Sequence, residues 1–163
     1  MAWTTPSTRA TNFLVTSTVY NDDIINNLLY LANRPSAVIA TTPGTLTTTS
    51  ASWVDVSTTY YQATLNVSAG GRVLVLVQGT IYISSSAGVV GLRLLKNGAD
   101  VSASATYGHM SNSTNLDTPF SIFYVAENQT AGSQTYKLQW YVTGGFTGRI
   151  RGSINFPMAV MEL

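Results

Sequence analysis

The single histidine of the chain lies in the polar stretch where chemistry would first be sought. His109 stands in "SATYGHMSNSTN", between Tyr107 and Asn112. A histidine that acts as a base or a metal ligand needs partners at suitable spacing. The seven acids are scattered along the chain, and cysteine is absent. The sequence also contains no G-x-S-x-G elbow, glycosidase carboxylate pair or phosphate loop. We therefore predict a non-enzymatic protein that uses no cofactor and no metal.

The same polar stretch, residues 106–117, is the longest irregular segment that the sequence predicts. Tyr107, His109 and Asn112 are residue types that stack on sugars or hydrogen-bond to them, and a rigid β-scaffold carries its contacts on loops. We predict these three residues as receptor or glycan contacts, with a plain solvated loop at the sandwich tip as the alternative. A second stretch, "WYVTGGFTGRIRG", carries Phe146, Arg149 and Arg151. We expect these residues either to face a partner or to pack between subunits.

The composition argues against nucleic-acid and membrane partners. Only 9% of the 163 residues are charged and the net charge is +1, whereas soluble domains usually have about 25% charged residues. The surface is then polar but weakly charged, which is common on extracellular fibres, lectins and virus shells; an ordinary domain with a threonine-rich surface is the alternative. The N-terminus has no basic segment followed by an apolar core, so no signal peptide is predicted. No run approaches the ~18 apolar residues of a membrane span.

Residues 36–163 show the alternation of apolar and polar residues that is typical of β-strands. The stretches "YQATLNV", "TPFSIFYVAE" and "QTYKLQWYVT" each place apolar residues on one face. In "RVLVLVQGTIYIS" both faces are apolar, which predicts a strand covered on both sides. Asn97-Gly98 predicts a tight hairpin turn. About 8–10 short strands with frequent turns predict an all-β, antiparallel jelly-roll sandwich.

The last predicted strand is apolar to its end, although a terminal strand normally frays and is polar. Its segment "GSINFPMAVMEL" contains Phe156, Met158 and Val160. We predict that this strand is buried centrally or lies at an interface between chains, and these three residues are candidates for that interface.

One short helix precedes the sandwich. Asn21 is the predicted N-cap, and Pro35 ends the helix. Ile24, Leu28 and Leu31 form an apolar stripe at helical spacing. A helix this short is marginal in water, so it must pack either on its own β-domain or on helices of other chains. We predict self-association, with these three residues on the seam. The predicted divisions are an extended arm at 1–20, the helix at 21–35 and the sandwich head at 36–163.

The arm and helix, "WTTPSTRATNFLVTSTVYNDDIINNLLYLANRP", resemble the N-terminal segment of small phage and prophage tail-fibre-like proteins. The matching positions are Trp3, Pro6, Val15, Thr16, Asn21, Asn27, Leu28, Leu31 and Pro35. The segments "SWVDVS", "GGRVLVLVQGTI", "LRLLKNG", "YKLQWYVTGG" and "FPMAVMEL" are similar to the trimeric jelly-roll heads of the tumour necrosis factor and complement-head type on phage fibres. Together these resemblances cover nearly the whole chain.

The resemblance implies a homotrimeric virion structural protein, made in the host cytoplasm. Residues 1–35 would attach to other virion proteins, and the β-head would be exposed. A tail or head fibre that binds a host surface glycan and a capsid decoration protein both fit this description. A stand-alone, lectin-like carbohydrate-binding module is the alternative outside any virus.

Overall fold

Alternating apolar residues build two antiparallel sheets in the computed structural model, which describes residues 16–40, 43–85, 87–101, 107–109, 117–151 and 157–163. The strands of these ranges are β1 (Ser36–Ile39), β2 (Leu46–Thr48), β3 (Val54–Asp55), β4 (Gln62–Val67), β5 (Val73–Ile83), β6 (Val90–Lys96), β7 (Ala99–Asp100), β8 (Tyr107–His109), β9 (Thr118–Ala126), β10 (Gly132–Val142), β11 (Gly148–Arg151) and β12 (Met158–Glu162).

Strand β5 is the centre of the first sheet, which we call sheet 1. One edge of β5 pairs with β9. The other edge pairs first with β12, which pairs in turn with β1, and further along with β11, which pairs with β2. In sheet 2, β10 pairs with β3 and β4 on one edge and with β6 on the other, and β6 continues to β7 and β8.

The inner faces of the two sheets enclose one apolar core. Val73, Val75 and Val77 point inward from sheet 1, and Leu138 and Trp140 point inward from sheet 2; all five are buried. Leu138 and Trp140 occupy the inward positions that the alternation predicts, and the three valines share one face of β5, as the sequence indicates. The all-β, antiparallel jelly-roll sandwich is therefore confirmed.

The hairpin between β6 and β7 forms at the predicted residues. Asn97 and Gly98 both have positive φ, at 49° and 84°, and Lys96 pairs with Ala99 across the turn. This two-residue turn matches the right-handed twist of the strands, and asparagine and glycine are the residues that tolerate it.

The helix begins earlier than predicted. It comprises α1 (Ser17–Tyr20), a π-helical segment (Asn21–Ile25) and α2 (Asn26–Ala32). Asn21 is therefore inside the helix, and its prediction as the N-cap is wrong. The helix ends at Ala32, shortly before the predicted stop at Pro35. At this end Asn33 donates its backbone and side-chain N–H groups to the Leu29 carbonyl. The predicted arm lies largely outside the described residues.

Two buried tyrosines provide a test of the core by alkaline titration. Burial raises the pKa of Tyr61 and of Tyr136 from 10.0 to about 12, and the nearby Tyr124 adds to the shift for Tyr136. Both folded-state values exceed the unfolded value, so the stability they contribute is complete below pH 10 and is lost between about pH 10 and 12. Phenolate absorbance should show a late step that shrinks in Tyr61→Phe and in Tyr136→Phe. A late step unchanged in both variants would contradict the packing.

Candidate assembly surface

The outward side of β1, β12, β5 and β9 in sheet 1 is apolar. Four outward residues lie in one row across these strands. Phe123 of β9 pairs with Leu76 of β5, Leu76 pairs with Ala159 of β12, and Ala159 pairs with Val38 of β1. A second row contains Val125, Leu74 and Met161. We call these seven residues the outer apolar face. None of the outward positions on these described strand segments carries a charge.

This face is open to solvent in the single chain. Phe123 is 64% exposed, Val38 47% and Leu76 37%. A shallow depression lined by Leu76, Gln78, Ser121 and Ala159 lies beside Phe123. Large apolar side chains that are contiguous and exposed are uncommon on monomeric proteins, and a polar rim around them is typical of an interaction site.

Polar and charged groups border the outer apolar face at both ends. At one end Arg72 and Glu127 form an exposed ion pair with a 2.9 Å contact. At the other end Gln78 and Ser121 pair across β5 and β9, and beyond them Tyr82 lies beside two arginines of β11. The face is therefore a bounded patch and not a strip that runs the length of the sheet.

The outward side of sheet 2 is of a different kind, because a polar network joins four side chains of β3, β6 and β10 on it. Arg93 donates from Nε and Nη2 to Gln139 Oε1, at 2.9 and 2.6 Å. Gln139 donates to Asp55 Oδ1, and Lys137 donates to Asp55 Oδ2. The hydrogen bond from Gln139, with help from Lys137, holds the pKa of Asp55 below its usual value. This network suits a face that stays in water.

Aromatic rings complete the outward side of sheet 2. The Arg93 guanidinium lies 4.6 Å from the centre of the Trp53 ring, and Trp53 meets Tyr141 edge to face at 4.5 Å. Tyr141 lies over Gly91, where a Cβ atom would be only 1.9 Å from its ring. The ring therefore covers a glycine on the neighbouring strand, and it occupies space that any other residue would need.

The predicted seam residues of the helix are all at the surface. Ile24, Leu28 and Leu31 are 44%, 56% and 44% exposed, and Tyr20 and Leu29 are exposed beside them. The stripe is therefore largely open to solvent in the single chain, and its place on a seam between chains stays a prediction.

The predicted interface residues of the last strand need correction. Met158 and Val160 are fully buried in the core of their own chain. The alternation along β12 turns them inward, and they have no surface to offer to a second chain. The outward residues of the same strand are Ala159 and Met161. Phe156 lies outside the described residues.

The predicted glycan contacts are only partly described. Tyr107 and His109 belong to β8, where their backbone pairs with Leu92 and Val90. Their assignment to an irregular loop was therefore wrong, because these residues extend the edge of sheet 2. The side chains of Tyr107 and His109, and all of Asn112, lie outside what the structure describes, so their role as contacts stays a prediction.

The second predicted contact stretch divides between the core and the surface. Phe146 packs against the apolar core. Arg149 and Arg151 lie 5.1 and 5.8 Å from the centre of the Tyr82 ring, and Arg151 forms an ion pair with Asp117 at 3.0 Å. These arginines are held by groups of their own chain.

The residues that sequence reasoning missed are Phe123 and Leu76. The sequence predicted that both faces of the strand with Leu76 are covered, and that the strand with Phe123 has only one apolar face. A usable signal was present, because Leu74 and Leu76 alternate with the core valines while Phe123 and Val125 alternate with Ile122 and Tyr124. Two paired strands with apolar residues on both faces predict a second buried surface.

The fold and the surface define a jelly-roll β-sandwich with one apolar and one polar outer face. No model of a known protein family and no curated protein matches the sequence. Among solved structures, the chain is similar to Eiger TNF from S. frugiperda, with 20% identity, a TM-score of 0.44 and coverage of 80% of this chain and 92% of that chain. It is also similar to VP2 of the infectious bursal disease virus subviral particle, with 13% identity, a TM-score of 0.43 and coverage of 80% and 37%.

These similarities carry no argument about function, because the TM-scores are low, and the architecture rests on the strand pairing itself. Within the described part of the chain, no helix has the length and apolar character that crossing a membrane requires.

Proposed function

We propose that this chain is a non-enzymatic structural protein of a bacteriophage virion. Three copies associate through the outer apolar face, and residues 1–35 attach the trimer to other virion proteins. The head remains exposed, as in a fibre or a capsid decoration protein. The observation that carries the proposal is the contrast between the two outer faces of the sandwich, one apolar and one charged.

The contrast supports self-association because the two faces require different surroundings. An apolar face on one sheet gains free energy when another surface covers it, at about 25 cal/mol per Å² of apolar area. The network of Arg93, Gln139 and Asp55 on the other sheet would lose its water if it were covered. One face therefore belongs inside an assembly, and the other faces solvent.

The exposed helix supports an attachment role for the N-terminal segment of the chain. Its apolar stripe adds a second surface that needs a partner. Only three residues separate the end of α2 from the start of β1. Copies that meet through sheet 1 would bring their helices together, because β1 is a strand of that sheet. The number three comes from the resemblance to trimeric phage heads.

The proposal is tested on purified virus particles from producing cells. An antibody against the head should label particles at regular sites in electron micrographs. Particles made with a chain that starts at Ser36 should lose the label, although the shortened protein is still produced. Full-length protein found only outside the particles would overturn the virion assignment.

A further inference from the structure

Glu162 is a buried carboxylate with one oxygen that has no partner. Its side chain is among the few buried polar ones, since the residue is only 2% exposed. Oε1 accepts a hydrogen bond from the backbone N–H of Ser68 at 3.0 Å. Oε2 has no hydrogen-bond partner among the described residues. A buried charged oxygen without a partner is costly, and it needs a specific explanation.

The surrounding backbone is shaped to hold this carboxylate. A Cβ atom at Gly71 would lie 2.5 Å from Glu162 Oε1, so only glycine leaves the space. The Glu162 N–H donates to the Pro35 carbonyl at 3.0 Å. The strand that carries the carboxylate is therefore bonded directly to the junction between the helix and the head.

An open cavity of about 360 Å³ lies beside Glu162, between the end of the helix and the turn at residues 68–71. Leu31 and Leu163 give it apolar walls, and Arg34 is the one cationic residue that lines it. Glu162 is the one acidic side chain of the lining, and one carboxylate does not provide the several oxygens that a calcium or magnesium ion requires. It does suit a guanidinium group, which binds carboxylates through two parallel hydrogen bonds.

We propose that the cavity is a binding site for one guanidinium group, and that its occupant is Arg34 of the same chain. A tethered side chain has an effective concentration in the millimolar range or above, and its own charge repels other cations from the cavity. Paired in this way, Arg34 and Glu162 hold the end of the helix on the head and fix the direction in which the helix leaves. The inference does not depend on the virion assignment.

The test is a double-substitution cycle in the full-length chain, at one protein concentration and low salt. Arg34→Gln should lower the midpoint of thermal unfolding by about 4 °C, and the same change in a Glu162→Gln background should lower it no further. Arg34→Lys should keep part of the stability. The matched control is Arg72→Gln, whose side chain pairs with Glu127 near the same turn, and its effect should be equal in both backgrounds.

Rescue with methylguanidinium gives an independent measurement if Glu162→Gln does not fold. At millimolar concentration, methylguanidinium should raise the midpoint of thermal unfolding of Arg34→Gln and leave that of the unsubstituted chain unchanged. Equal effects of Arg34→Gln in both backgrounds, or no rescue, would overturn the proposal. If the coupling between the Arg34 and Glu162 substitutions disappeared when the protein was diluted, the guanidinium would come from a second copy. That result would overturn the same-chain assignment.

Discussion

Phe123→Asp is expected to convert the proposed trimer into single chains. In the single chain this position is 64% exposed, so a carboxylate there costs the isolated fold little. In the proposed assembly the same position is covered, so the substitution would both remove a large apolar contact and bury a charge. The lost contact alone is worth about 3 kcal/mol for each chain, and a homotrimer contains three such sites.

Light scattering of the purified variant measures the mass directly, and circular dichroism checks that the sheet content is unchanged. Asn66→Asp is the matched control, because Asn66 is an exposed outward residue on β4 of the opposite sheet. It introduces the same charge on the polar outer face and should leave the mass of the assembly unaltered. If Phe123→Asp stayed assembled while folded, the outer apolar face would not be the interface.

Trp140→Ala is expected to have the largest effect on the stability of the head. Among the residues that the structure describes, Trp140 is the largest fully buried side chain, and it comes from β10, the strand that joins both halves of sheet 2. Removing a buried tryptophan costs about 3–5 kcal/mol. Domains are stable by only about 5–15 kcal/mol, so much of the stability would be lost.

The next residue on the same strand provides the control for this substitution. Tyr141 points to the outer face, where it is half-buried over Gly91. Tyr141→Ala removes an aromatic ring of similar size without opening a cavity between the sheets, so it should cost much less. Unfolding of both variants in urea measures how much free energy of unfolding each substitution removes. Equal losses would show that the inner and outer faces of β10 had been assigned incorrectly.

The alternation of residues predicts most of the sandwich because side chains on a strand have a period of two. Leu65 and Leu138 are inward where that period places them, and a register error of one residue would have turned both of them outward. The Asn97-Gly98 turn was predictable for a local reason, since few residues accept positive φ at both positions.

The start of the helix was not predictable from capping preferences alone. The π-helical segment at Asn21–Ile25 continues from α1, so Asn21 does not mark a beginning. Nor could alternation say which apolar face of β5 meets the core of the chain and which lies on the outside of the sandwich. Leu76 and Val77 are both apolar, and only the curvature of the sheet and the opposite layer separate them.

The polar features were missed because the pairing that creates them joins distant parts of the chain. Arg93 and Gln139 face each other through the register of β6 and β10, and Asp55 joins them from β3. Glu162 is different, because its burial follows from continuing the inward alternation of Met158 and Val160 by one more step. A lone acid at an inward position of a strand is a signal that the sequence does contain.

The mass of the unsubstituted full-length chain in dilute solution tests the central claim most directly. Light scattering over a range of concentrations should give three chains for the full-length protein, and also for a version that starts at Ser36, because the outer apolar face lies in the head. Single chains at all concentrations for both would contradict the account, since the outer apolar face would then be open to water in the native protein.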